Sequence, residues 1–119
     1  MFSFEELSKV NLERCQRWHK EGLNNWSTSD WAVAMAGESG EVFNTIKKLN
    51  RIRSEILNKN SHDQIDSEQE AIHRIGEELA DMLLYADLLA QSLGLSLENE
   101  IVKKFNSVSE RYGFPERLN

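Results

Sequence analysis

Residues 31–49, WAVAMAGESGEVFNTIKKL, decide the fold. Trp31, Met35, Val42, Ile46 and Leu49 recur every three or four or seven positions, the period of a helix with one apolar stripe. Residues 75–93, IGEELADMLLYADLLAQSL, repeat the pattern through Ile75, Leu79, Met82, Ala86, Leu89 and Leu93. No Val/Ile/Thr run alternates as a half-buried strand must. The only proline, Pro115, lies near the end, and just 6 glycines interrupt the chain. The prediction is an all-α, four-helix bundle-like domain spanning 1–119, with no repeat or linker.

The helix ends are marked by caps. Ser3 with Glu6 makes a capping box for a first helix over 4–21, which Gly22 would stop. Thr28 or Ser29 opens the second, which runs to Leu49 and can extend through Ile56 and Leu57. Ser67 with Glu70 opens the third, which ends at Gly94. Ser96 opens the fourth, which ends near Tyr112, before Gly113 and Pro115. The polar stretch 54–66, with Asn58, Asn60, Ser61, His62 and Asp63, is the predicted loop.

Composition narrows the function. The 119 residues hold 14 Lys+Arg against 20 Asp+Glu, a net charge of −6. Duplex affinity is built on neutralising phosphates, so a nucleic-acid partner is not expected. Cys15 is the one cysteine; it makes no internal disulfide, which points to a reducing compartment. No run of eighteen apolar residues exists, and the start, MFSFEELSKV, lacks a basic segment leading into an apolar one. A soluble, cytoplasmic protein without membrane contact or cleaved signal is expected.

Some of the carboxylates converge. Glu38-Ser-Gly-Glu41 and Glu78-Leu-Ala-Asp81 each place two acids on one helix face. In a chain with 29% charged residues either pair alone is an ordinary solvated face. Two pairs at the same edge of two apolar stripes carry more weight, because packing the stripes would bring four acids together. Such a cluster needs cations or protonation to exist. Hard divalent ions with oxygen ligands, Mg²⁺ or Mn²⁺, suit it. Gly37 and Gly40 add to the signal: each costs its helix about 1 kcal/mol against alanine, which suggests a close approach to the backbone.

These residues resemble a known family. AGESGEVFNTIKKLNRIR and EELADMLLYADLLAQSLGLSLENEIVKKFNSVSERYG, spanning about 26–113, are similar to the all-α MazG-like nucleoside triphosphate pyrophosphohydrolases, relatives of dimeric dUTPases and dCTP pyrophosphatases. The resemblance implies hydrolysis of (d)NTP to (d)NMP and pyrophosphate, with Mg²⁺ held by Glu38, Glu41, Glu78 and Asp81. Thirty-seven positions lead from Glu41 to Glu78, more than is common in small members. The extra length falls in the 54–66 loop and bears on substrate size and loop-borne phosphate contacts.

Further candidates surround the acids. Lys48 lies on the face of Glu41, two turns on, as a phosphate contact or a solvated lysine. Lys104, Asn106 and Arg111 match the family's K-F-N-x-x-S-x-R segment, which closes over the triphosphate in relatives. Arg111 alone also suits a helix C-terminus. Tyr85 follows Asp81 by one turn, where related enzymes stack the base, and Trp26 precedes the second helix near where relatives hold it. Trp31 and Cys15 are predicted core, and Trp18 is left open.

The expected mechanism is attack of a metal-activated water on the α-phosphorus, pyrophosphate leaving, with Glu41 as the carboxylate that orients or deprotonates the water. Three rivals stand. A ferritin-like di-iron protein needs E-x-x-H on two helices, and only Glu70-x-x-His73 is present. A non-catalytic helical binding module would keep the fold without turnover. Phosphoribosyl-ATP pyrophosphohydrolase shares the fold. Stripes this wide exceed what one small chain buries, so completion as a homodimer or homotetramer is expected, as in relatives.

Overall fold

The computed structural model describes residues 1–54 and 67–119, as four α-helices with no strand among those residues. The predicted 54–66 loop, apart from Ser54, and the extension through Ile56 and Leu57 lie outside the described residues.

Ser3 accepts a hydrogen bond from the Glu6 amide at 3.1 Å and starts α1, Phe4–Trp18. This helix ends three residues before the predicted Glu21. His19 turns extended, and a 3₁₀ turn over Gly22–Asn25 follows. Gly22 is thus the left-handed residue of the turn (φ +63°) rather than the helix stop. Thr28 is the first residue of α2, Thr28–Arg53. Its cap is Ser27: the Asp30 amide donates to Ser27 Oγ, and the Ser27 amide donates to Asp30 Oδ2. Ser67 accepts from the Glu70 amide at the start of α3, Glu68–Ser92. Beyond it the Leu95 and Gly94 amides donate to the Ala90 and Gln91 carbonyls, which satisfies the orphan carbonyls of the helix end. Ser96 caps α4, Leu97–Tyr112, and Gly113 closes it in the left-handed region.

The chain divides into two compact units. One comprises Met1–Trp31 and Ala86–Asn119. Asp87, 1% exposed, accepts bonds there from Ser8 Oγ (2.6 Å), Asn11 Nδ2 (3.0 Å) and Gln91 Nε2 (2.9 Å). Three donors are what allow a carboxylate to sit where water cannot reach it. They tie α1 to the end of α3. Cys15 and Trp31 are buried in this unit as predicted, while Trp18 is exposed beneath the Arg14 guanidinium.

The other unit, Ala32–Tyr85, is an antiparallel pair made by α2 and α3. Numbers rise on one helix as they fall on the other: Ser39 bonds Met82, Thr45 bonds Glu78, and Arg53 bonds Glu68. Val42 and Leu49 are buried as the stripe predicts, but the inner line shifts by one residue at one position on each helix. Thr45 is 3% and Glu78 8% exposed, whereas Ile46 and Leu79 are 37% and 45% exposed. A residue step is about 100°. Apolar spacing marks two adjacent lines, and the mutually bonded Thr45 and Glu78 take the inner one. Leu93, predicted on the stripe, is likewise exposed. No helix among the described residues is long and apolar enough to cross a membrane.

Candidate active site

Within the unit Ala32–Tyr85 a groove of about 650 Å³ opens along the helix pair. From α2 come Gly37, Glu38, Gly40, Glu41, Asn44 and Thr45; from α3 come Arg74, Glu77, Glu78 and Asp81. Three-residue spacing on each helix and the antiparallel register bring Glu38, Glu41, Glu78 and Asp81 to one place. A Cβ built on Gly37 or Gly40 meets nothing within 4 Å among the described residues. The close approach inferred from these glycines is therefore not made by the described residues, and both leave bare backbone in the groove.

The charges interact. Burial holds the Glu38 carboxyl above its ordinary value, and the neighbouring Asp81, Glu41 and Glu78 push it further in the same direction. All three other acids thus lie within electrostatic reach of Glu38. Glu78 is the enclosed member. Its Oε1 accepts from the Thr45 hydroxyl at 3.0 Å, and its Oε2 is buried with no hydrogen-bond partner among the described residues. An orphaned, buried carboxylate oxygen is costly and calls for an explanation. Oxygen donors of this kind fit a hard divalent cation. As the side chains stand, no three His, Cys, Asp or Glu among the described residues gather closely enough to hold one. Donor type, enclosure and repulsion fit a cation; the shell is not drawn in around it.

The other candidates lie elsewhere. Lys48 and Tyr85 are half-buried in the same unit but do not line the groove. Trp26, Lys104, Asn106 and Arg111 belong to the other unit. There Trp26 joins an aromatic cluster, 4.5 Å from the Trp31 ring and 4.7 Å from His19. Lys104 is exposed on α4. Asn106 exchanges two 2.8 Å bonds with the Leu118 backbone, and Arg111 lies over the Tyr112 ring. His73, the histidine of the di-iron rival, pairs with Glu77 at 2.8 Å and does not line the groove.

Asn44, Arg74 and Glu77 line the groove without having been singled out in the sequence. Their signal was available: Asn44 follows Glu41 by three, Arg74 precedes Glu78 by four and Glu77 precedes Asp81 by four, so each shares a helix face with an acid already marked.

The MazG nucleotide pyrophosphohydrolase domain family matches residues 28–112, most of the chain. No curated protein and no solved structure matches the chain significantly.

Proposed function

We propose that this chain, which belongs to the MazG nucleotide pyrophosphohydrolase family, hydrolyses (deoxy)nucleoside triphosphates to nucleoside monophosphate and pyrophosphate at the α2–α3 groove, in the service of nucleotide-pool cleansing in the cytoplasm. The observation that carries this reading is the meeting of Glu38, Glu41, Glu78 and Asp81 in one groove, where Glu38 is held up by burial and by the other three. The match to 28–112 runs through both compact units, which supports treating 1–119 as one pyrophosphohydrolase domain.

Glu38, Glu41, Glu78 and Asp81 would hold Mg²⁺, or Mn²⁺ in its place, which supplies neutralisation of phosphate charge and a water of lowered pKa. Glu41, exposed to the groove, orients or deprotonates the attacking water. The water oxygen bonds to the α-phosphorus and its proton passes to the Glu41 carboxylate or to solvent. The bond from the α-phosphorus to the α–β bridging oxygen breaks, and pyrophosphate leaves with that oxygen. Lys48, Lys104, Asn106 and Arg111 are proposed to meet phosphate oxygens, and Tyr85 and Trp26 to hold the base.

A dNTP panel with Mg²⁺ tests the reading. Monophosphate and pyrophosphate in equal amounts are expected. Diphosphate with orthophosphate overturns the reaction type, and turnover of phosphoribosyl-ATP alone overturns the substrate class.

Oligomerisation is part of the proposal. Phe43, Ile72, Leu79 and Leu83 are 68%, 49%, 45% and 41% exposed in the single chain, and the three on α3 follow one helical line. Apolar faces of this kind are normally covered. Light scattering after size-exclusion chromatography is expected to give a homodimer or homotetramer; a species of 13.8 kDa overturns this.

A further inference from the structure

We propose that Thr45 is a positioning residue, whose hydroxyl holds Glu78 Oε1 so that Oε2 is presented to a divalent cation; this rests on the reading of the groove given above. The two residues face each other across the helix pair, are almost fully buried, and are joined at 3.0 Å. Only one carboxylate oxygen is engaged. Glu78 Oε2 has no partner among the described residues. The division matters, because a ligand carboxylate works best when one oxygen is anchored by an outer partner and the other is turned to the metal.

Thr45 is also the wrong residue for a purely structural role at its position. It sits in the buried line with Val42 and Leu49. Valine has the same shape without a hydroxyl to desolvate. Threonine in a helix usually turns its hydroxyl back to the carbonyl one turn earlier. Here the hydroxyl instead donates across to α3. A hydroxyl in a dry place needs a partner, and Glu78 supplies it. Without that anchor the Glu78 side chain regains rotamer freedom, and both its oxygens stay buried and unbonded.

The test titrates Mn²⁺ into full-length wild type, Thr45→Val and Thr45→Ser by calorimetry, with metal-free melting curves and the metal dependence of pyrophosphate release in parallel. Loss of an outer-shell partner typically weakens metal binding about 10–100-fold, and that loss is expected for Thr45→Val. Thr45→Ser keeps the donor and is expected to bind like wild type. If Thr45→Val does not fold, Thr45→Ala is compared with Thr45→Ser. Both lack the methyl group, so weaker binding by the alanine variant isolates the hydroxyl. A Thr45→Val protein that melts lower yet binds Mn²⁺ with wild-type affinity overturns the proposal and leaves the groove reading intact. A wild type that binds no Mn²⁺ and releases no pyrophosphate overturns both.

Discussion

Glu41→Gln is expected to slow pyrophosphate release by about 10²–10⁴-fold, the span associated with a positioned general base. Glutamine keeps the size and the oxygen but loses the negative charge and the basicity. Glu41 is exposed and lines the groove, so the fold does not depend on its packing. Exposed substitutions usually change stability within about 0.5 kcal/mol. In the metal-free protein the sign is even favourable, since Glu41 is one of the three acids that push on Glu38. The expected result is therefore a large kinetic defect in a protein that melts no lower than wild type. Single-turnover release of pyrophosphate at saturating dNTP and Mg²⁺, beside a thermal melt, reads both quantities. Undiminished activity would remove Glu41 from the chemistry.

The same groove shows what the sequence discloses and what it hides. The two acid pairs were legible because three-residue spacing is a property of one helix, fixed before anything packs. Their meeting depended on α2 and α3 lying side by side, which the matched stripes and the short polar stretch between them made the natural arrangement. The buried line was legible at Val42 and Leu49 but not at one position on each helix. Ile46 and Leu79 lie adjacent to Thr45 and Glu78, and apolar spacing favours the aliphatic pair; a cross-helix bond reverses that choice. Ser3 and Ser96 announced their helices from local chemistry alone, as did Gly94 and Gly113, whereas α1 stops three residues early, because Gly22 serves the 3₁₀ turn that follows rather than the helix end. Asp87 was hidden for a similar reason. Two of its three side-chain partners, Ser8 and Asn11, lie more than seventy residues away, so nothing near it in sequence marks it as a buried acid.

Trp31→Ala is expected to have the largest effect on stability, about 3–5 kcal/mol, the usual cost of emptying a buried aromatic site. Trp31 is 1% exposed at the first turn of α2. Its indole N–H donates to the Leu23 carbonyl at 3.1 Å, and its ring meets Trp26 at 4.5 Å and His19 at 5.4 Å. One side chain thus fastens the 3₁₀ turn to the start of α2. Alanine leaves a cavity, an unpaired Leu23 carbonyl and two rings without their shared neighbour. Against a total of about 5–15 kcal/mol for a domain, such a loss brings the chain near unfolding. Trp31→Phe keeps most of the ring packing and loses the hydrogen bond, so a smaller cost of about 1–3 kcal/mol is expected. Urea unfolding at 25 °C followed by circular dichroism orders the three proteins as wild type, Phe, Ala. The comparison also separates Trp31 from its neighbour. If Trp31 held the base instead of the core, Trp31→Ala would raise KM for the triphosphate while the urea midpoint stayed in place. Trp26, half-buried beside it, is the ring from which that kinetic pattern is expected.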